Sequence, residues 1–273
     1  MEYKSKQKTS KITIDELREN ARNGYYKVHE VDYNAMIDKL KMHSNTTKYS
    51  SIKKQADRYN IPELFGLFNQ LCAQHKEIID IHTYMDAYLE IVEEELDWKD
   101  RGHAEYEAKK REVFLNIFSL RAYGSYVSNI AEISYVLHLR SMLDEDRYEI
   151  VFNDKVDHIL GVDIVVLDRY KDKARYIKVT KSSPFAEKKL IEKSTKTVRV
   201  KDTLTNFFVV FERRHIDAII SLYNKDNEKT TENINDVLLF QEGYVKRQMS
   251  RERKNIDRDY YDSIEYLKVN DED

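Results

Sequence analysis

A single cysteine, Cys72, occurs in the 273 residues. It excludes an intramolecular disulfide and any cysteine-built metal centre. It lies in the apolar run Leu67-Phe68-Asn69-Gln70-Leu71-Cys72-Ala73, where a buried structural thiol is expected rather than a nucleophile. Only six glycines and two prolines are present, which disfavours turn-rich β architectures and favours long helices. No apolar run approaches the about 20 residues of a membrane span. The opening Met1-Glu2-Tyr3-Lys4-Ser5-Lys6 has no apolar core of a signal peptide behind it. A cytoplasmic protein with no membrane partner is the expectation. Also missing are a glycine-rich phosphate loop and a Gly-x-Ser-x-Gly elbow, which argues against NTPase and serine-hydrolase chemistry.

What the chain has in quantity is charge: 35% of its residues are Asp, Glu, Lys or Arg, beside 41% hydrophobic. That balance describes a folded, highly charged globular protein, large enough for one domain with an appended lobe or for two domains. The net charge of −3 conceals blocks. Residues 116–168 carry 4 Lys and Arg against 9 Asp and Glu, whereas residues 169–220 carry 14 against 6. Acids gather where a cation would be held, and bases follow where a polyanion would be gripped. A lysine-rich solvated face produces the same linear pattern, so the blocks alone do not settle the partner.

Residues 1–11 read as a polar tail, and residues 13–143 carry helical periodicity. Ser10 or Thr13 is placed to cap a helix beginning at Ile14, with acids in its first turn. Around residues 50–71, Ala56, Asn60, Leu64 and Phe68 suggest a helix-turn-helix, but Gln55 and Gly66 stand where that motif wants apolar residues. Ordinary helical packing is the better reading. Helical spacing returns over residues 113–120 and again over 125–143. After Asp146 the regime changes. Residues 148–152, 162–167 and 175–181 read as strands, with a polar hairpin loop between the last two. Pro184 suits a helix start, residues 197–200 and 206–211 read as strands, residues 215–223 as a helix, and the tail from Asn233 as a charged helix.

Two segments stand out against this order. Gly161-Val162-Asp163-Ile164-Val165-Val166-Leu167-Asp168 places an acid at the mouth of an apolar strand. An unpaired carboxylate there would be expensive. Arg175-Tyr176-Ile177-Lys178-Val179-Thr180-Lys181 follows as a strand bearing a lysine. Strand alternation puts Tyr176, Lys178 and Thr180 on one face. Asp154 and Asp157 precede the first segment. Upstream, Ala131-Glu132 lies on a helix that also carries His138.

These residues, with the helix–strand–strand–strand–helix order over about residues 120–220, resemble the PD-(D/E)xK nuclease superfamily. That superfamily includes restriction endonucleases, Holliday-junction resolvases and the endonuclease subunits of some heteromeric transposases. The resemblance implies an α+β protein: a helical N-terminal region (residues 1–119) for DNA or partner contacts, a restriction-endonuclease-like α/β core with a mixed central sheet (120–223), and a helical charged tail (224–273). It further implies a metal-dependent endonuclease cleaving DNA phosphodiester bonds in restriction, phage, plasmid or transposon biology, with Mg²⁺ as cofactor and Mn²⁺ able to substitute. Asp163, Lys178 and Glu132 would be catalytic, and Asp163, Glu132 and Asp157 would hold the metal. Lys181, Lys188 and Lys189 would grip DNA. A homodimer or a partner protein is compatible with such an enzyme.

The chemistry requires these residue types. Hard carboxylate oxygens bind Mg²⁺ while leaving water positions open, and a neighbouring lysine stabilises charge that develops on a phosphate. The family usually carries an acid or glutamine two residues before the lysine, and here Tyr176 stands in that place. A metal could still be held by Asp163, Glu132 and a backbone carbonyl of the third strand, or by Asp157. Glu132 reads equally as a metal ligand and as an ordinary surface acid. Ser182 and Ser183 read as helix caps ahead of phosphate donors. His138 and His158, without metal-ligand spacing, read as structural. The alternative function is a non-catalytic DNA-binding or assembly protein on an eroded nuclease fold.

Overall fold

In the computed structural model, residues 12–44, 64, 66–96, 104–171, 173–183, 186, 188, 190, 197–201, 208–212, 218–224 and 226–250 are described. The helix-turn-helix reading rests on Gln55, Ala56 and Asn60, which lie outside these residues. Helix α1 (Ile14–Arg22) starts where capping chemistry places it. Thr13 Oγ1 accepts from Glu16 N at 3.2 Å and Glu16 Oε2 accepts from Thr13 N at 2.6 Å, a reciprocal capping box. Then come α2 (Tyr33–Ser44), α3 (Leu67–His75), α4 (Ile81–Leu96) and α5 (Ala104–Met142). The two helical stretches expected over 113–120 and 125–143 are one 39-residue helix. Gly124 sits inside it without interrupting it, and an added Cβ there would meet nothing within 4 Å. Among the described residues no helix is long and apolar enough to cross a membrane.

The chain divides into two compact units. One comprises residues 21–127 and 235–237. Its core is aromatic: the rings of Phe68, Tyr84 and Tyr126 sit 5.7–6.0 Å apart. Tyr126 donates its hydroxyl to the Ile79 carbonyl at 3.0 Å, so a buried phenol keeps a partner. Cys72 is buried in the same unit, and burial pushes its thiol up to about 12, away from nucleophilic use at neutral pH.

The other unit comprises residues 1–20, 128–234 and 238–273. It holds a four-stranded mixed sheet in the order β1-β2-β3-β6. Strands β1 (Tyr148–Val151), β2 (Ile164–Asp168) and β3 (Lys173–Lys181) pair antiparallel, and β6 (Ile219–Tyr223) runs parallel to β3. Helix α6 (Asp154–Leu160) connects β1 to β2. It also packs on a two-stranded ribbon of β4 (Thr197–Lys201) and β5 (Phe208–Glu212). β2 is buried at every position, as an apolar run in the interior of a sheet should be. On one side Val165, Leu167, Ala174 and Tyr176 form a core with Val156, Ile159 and Leu160 of α6.

Two expectations are corrected. Residues 219–223, expected within a helix, are strand β6. Apolar residues at 216, 219, 220 and 223 satisfy helical spacing, but in the fold burial alternates, with Ile219, Ser221 and Tyr223 inside. Pairing with β3 overrode the helical pattern, and the β-branched pair Ile219-Ile220 was the signal for it. The tail from Asn233 was expected to be helical throughout. Instead, among the described residues of that tail, β7 (Thr231–Ile234) and β8 (Val237–Phe240) form a hairpin, and only α7 (Glu242–Met249) is helix. Asn235 and Asp236 both take positive φ (51° and 63°), the conformation of a two-residue primed turn that Asn and Asp tolerate.

Gly161 sets the geometry between α6 and β2. Its φ of 72° closes α6, with its N–H donating to the Asp157 carbonyl at 2.9 Å, and the chain then turns directly into β2. Any other residue in that conformation carries a steric penalty. Gly161→Ala is expected to cost about 1–2 kcal/mol, read as a lowered urea midpoint with an unchanged slope. An unchanged midpoint would show that the turn is not fixed by this glycine.

Candidate active site

The site lies where β2 begins and β3 nears its end. Asn153 caps α6 by accepting from Val156 N at 2.8 Å, which orients the short helix carrying Asp157. Past Gly161, Asp163 donates its backbone N–H to the Ile177 carbonyl at 3.0 Å. The β2–β3 ladder ends at Ile164↔Ile177, leaving the Val179 amide beyond it. Asp163 Oδ2 accepts from that amide at 2.5 Å, so the carboxylate continues the ladder. Its other oxygen, Oδ1, accepts from Lys178 Nζ at 2.5 Å. Lys178 also donates to Asp157 Oδ1 at 3.2 Å. Three residues singled out in the sequence, Asp157, Asp163 and Lys178, therefore meet at one point.

Asp163 is buried, with 2% of its side chain exposed, while Lys178 and Asp157 expose 19% and 33% of theirs. A carboxylate so enclosed needs its partners. Burial pushes the Asp163 carboxyl up to about 6, against the pull of Lys178, and Asp157 pushes the same way. Burial also works against the Lys178 charge, but Asp163, Asp157 and, more weakly, Glu132 hold its pKa above the ordinary lysine value. The two directions differ, since Asp163 leans toward its neutral form and Lys178 toward its charged one. At neutral pH the ammonium prevails, because three acids act on one base. With all four groups ionised the cluster carries a net charge of −2.

Glu132 lies half-buried on α5. Four residues before it, Ser128 Oγ lies 2.7 Å from Tyr223 Oη, and three residues after it Tyr135 Oη accepts from Ser221 Oγ at 3.0 Å. Both bonds fasten this side of α5 to β6. Burial raises the Tyr223 phenol above its ordinary value, and Glu132 and Asp163 add to the effect. Among the described residues, no group of three or more His, Cys, Asp or Glu side chains gathers into a metal-binding cluster. The convergent pair is Asp157 and Asp163, and Glu132 bears on it electrostatically through Lys178.

The remaining expected residues sort as follows. Tyr176 is buried in the core against α6, so the position two before Lys178 serves packing. Lys181 and Lys188 are exposed, and Lys189 lies outside the described residues. Ser183 Oγ accepts from Ala186 N at 3.2 Å, the capping role expected of it. Ser182 uses its amide to donate to the Tyr223 carbonyl at 3.0 Å. His138 is buried, with Nε2 2.7 Å from the Phe240 carbonyl, and burial lowers its pKa. It is structural. The His158 side chain lies outside the described residues. Ser128, Tyr135 and Tyr223 were not singled out beforehand, and their contacts span 86–95 residues with no local signal.

No known protein family, curated protein or solved structure matches this chain.

Proposed function

We propose that the protein is a metal-dependent endonuclease that cleaves DNA phosphodiester bonds on a restriction-endonuclease-like core. The observation that carries this reading is the convergence of Asp157 and Asp163 on the Lys178 ammonium at the mouth of β2. The mixed sheet, with Asp163 just before β2 and Lys178 on the adjacent β3, supports it, as does the helix-borne Glu132 acting on the same lysine. The donor set suits Mg²⁺ or Mn²⁺, which take one or two carboxylates and keep several waters. A cation, the lysine ammonium, already sits where the two carboxylates point. Asp163 and Asp157 would hold the metal, with Glu132 beside them. When bound, the ion would polarise a phosphoryl oxygen and supply an activated water.

The chain's own residues do the rest. The Val179 N–H and the strand mouth fix the Asp163 carboxylate. Asp157, presented from α6, supplies the second acid that Tyr176 does not. Lys178 supplies positive charge toward a phosphate. The ties of Ser128 and Tyr135 to β6 keep Glu132 in register. Lys181 and Lys188, both exposed, would meet the DNA backbone in a salt-sensitive attraction. The double variant Lys181→Gln/Lys188→Gln is expected to weaken duplex binding and to reduce the slope of log K against log salt by about 2. An unchanged slope in fluorescence anisotropy would place the DNA elsewhere.

The alternative reading, a non-catalytic DNA-binding or assembly protein on an eroded nuclease fold, is favoured by one observation. Tyr176 fills with core packing the position where the resemblance expects an acid. Supercoiled plasmid incubated with the purified protein separates the two readings. Nicking in Mg²⁺ or Mn²⁺ that stops with EDTA supports the enzyme, and plasmid retention without nicking supports the alternative.

A further inference from the structure

Lys178 does more in this geometry than stand beside a metal site. Its ammonium touches Asp163 Oδ1 at 2.5 Å and Asp157 Oδ1 at 3.2 Å, the two oxygens that a divalent ion at this point would need. The acids cannot serve both cations fully. A divalent ion seated between them would meet Lys178 at close range, and like charges there repel strongly. Nor is the lysine loosely placed: only 19% of its side chain is exposed, and its stem leaves β3 on the face that packs against α6.

We propose that Lys178 is a resident internal cation that competes with the divalent metal for Asp157 and Asp163, so that metal enters only as the ammonium withdraws. The inference rests on the metal-dependent reading of this site and adds its regulation. The metal-free protein is held closed by its own counter-ion, which keeps two neighbouring acids from repelling. Metal affinity is set by the work of displacing that counter-ion as well as by the carboxylates. A ligand that attracts Lys178 away, such as the phosphate of a nucleic acid, favours metal binding, and by linkage metal favours that ligand.

The test measures Mn²⁺ binding to the full chain without DNA, following free Mn²⁺ by electron paramagnetic resonance. Lys178→Met is expected to bind Mn²⁺ at least about tenfold more tightly than the wild type, because a repelling charge has gone. Adding Asp163→Asn to Lys178→Met is expected to abolish the gain. Equal, measurable binding by the wild type and Lys178→Met overturns the inference and leaves the metal-dependent reading standing. No Mn²⁺ binding by any variant overturns both. Should Lys178→Met fail to fold, Lys178→Gln, one atom shorter and uncharged, still offers a donor toward Asp163. Its melting temperature is then expected to rise more with Mn²⁺ than that of the wild type, and an equal rise overturns the inference.

Discussion

Lys178→Met is expected to destabilise the fold by about 3–5 kcal/mol at pH 8. The lysine partners an Asp163 side chain that is 2% exposed, so its removal leaves a buried carboxylate with only the Val179 amide. Asp157, left close by, adds repulsion. The loss should shrink at low pH. Burial already pushes Asp163 up to about 6 with the lysine present, and without it the folded pKa rises further. An unfolded aspartate titrates near about 3.9. Between those values the folded chain binds the proton and the unfolded chain does not. This contribution is therefore fully present below the unfolded value and is lost as pH rises through the folded one. Urea melts at pH 5 and pH 8 should show the smaller loss at pH 5. Adding Asp163→Asn to Lys178→Met should recover most of the stability, since the stranded charge is gone. A loss independent of pH, or no recovery in the double variant, would mean that the pair is not electrostatically coupled as the geometry indicates.

Asp163→Asn alone should separate chemistry from folding. The amide matches the carboxylate in shape and its oxygen can still accept from Val179 N. Lys178 keeps Asp157 as a partner. The fold should survive with a modest loss. Cleavage should not, because an amide is a poor ligand for a hard dication and places no negative charge at the site. Single-turnover rates on a labelled duplex are expected to fall by at least about 100-fold. Asp157→Asn, which changes the more exposed acid, should cost less than Asp163→Asn. The reverse order would move the centre of the site onto α6.

How much of this was legible beforehand varies with the distance over which each contact is made. Asp163 was readable because a carboxylate at the mouth of the run Ile164-Val165-Val166-Leu167 demands a partner, and Lys178 was readable from strand alternation. The hairpin joining β2 to β3 makes their meeting a local event. Asp157 was named as a metal-holding acid only through the family resemblance, from its place before a strand. That α6 would turn it toward Lys178 depends on the left-handed Gly161, whose conformation no spacing rule conveys. The strand β6 was misread because Ile219, Ile220 and Tyr223 satisfy helical spacing as well as strand alternation. Only pairing with β3, more than 40 residues earlier, decides between them. The β7–β8 hairpin was missed for another reason: its turn is Asn235-Asp236, without the glycine that usually marks a primed turn. The ties from Ser128 and Tyr135 to β6 have no local trace, since isolated Ser and Tyr residues announce no partner.

The most direct measurement is a time course of supercoiled plasmid DNA with wild-type protein and Asp163→Asn, purified side by side, in Mg²⁺, in Mn²⁺ and in EDTA. The wild type should convert supercoiled to nicked or linear DNA in either metal and be silent in EDTA, while Asp163→Asn should be slower by at least about 100-fold. Equal nicking by the two proteins, or none by the wild type in either metal, would contradict the assignment of Asp157, Asp163 and Lys178 as a phosphodiester-cleaving site.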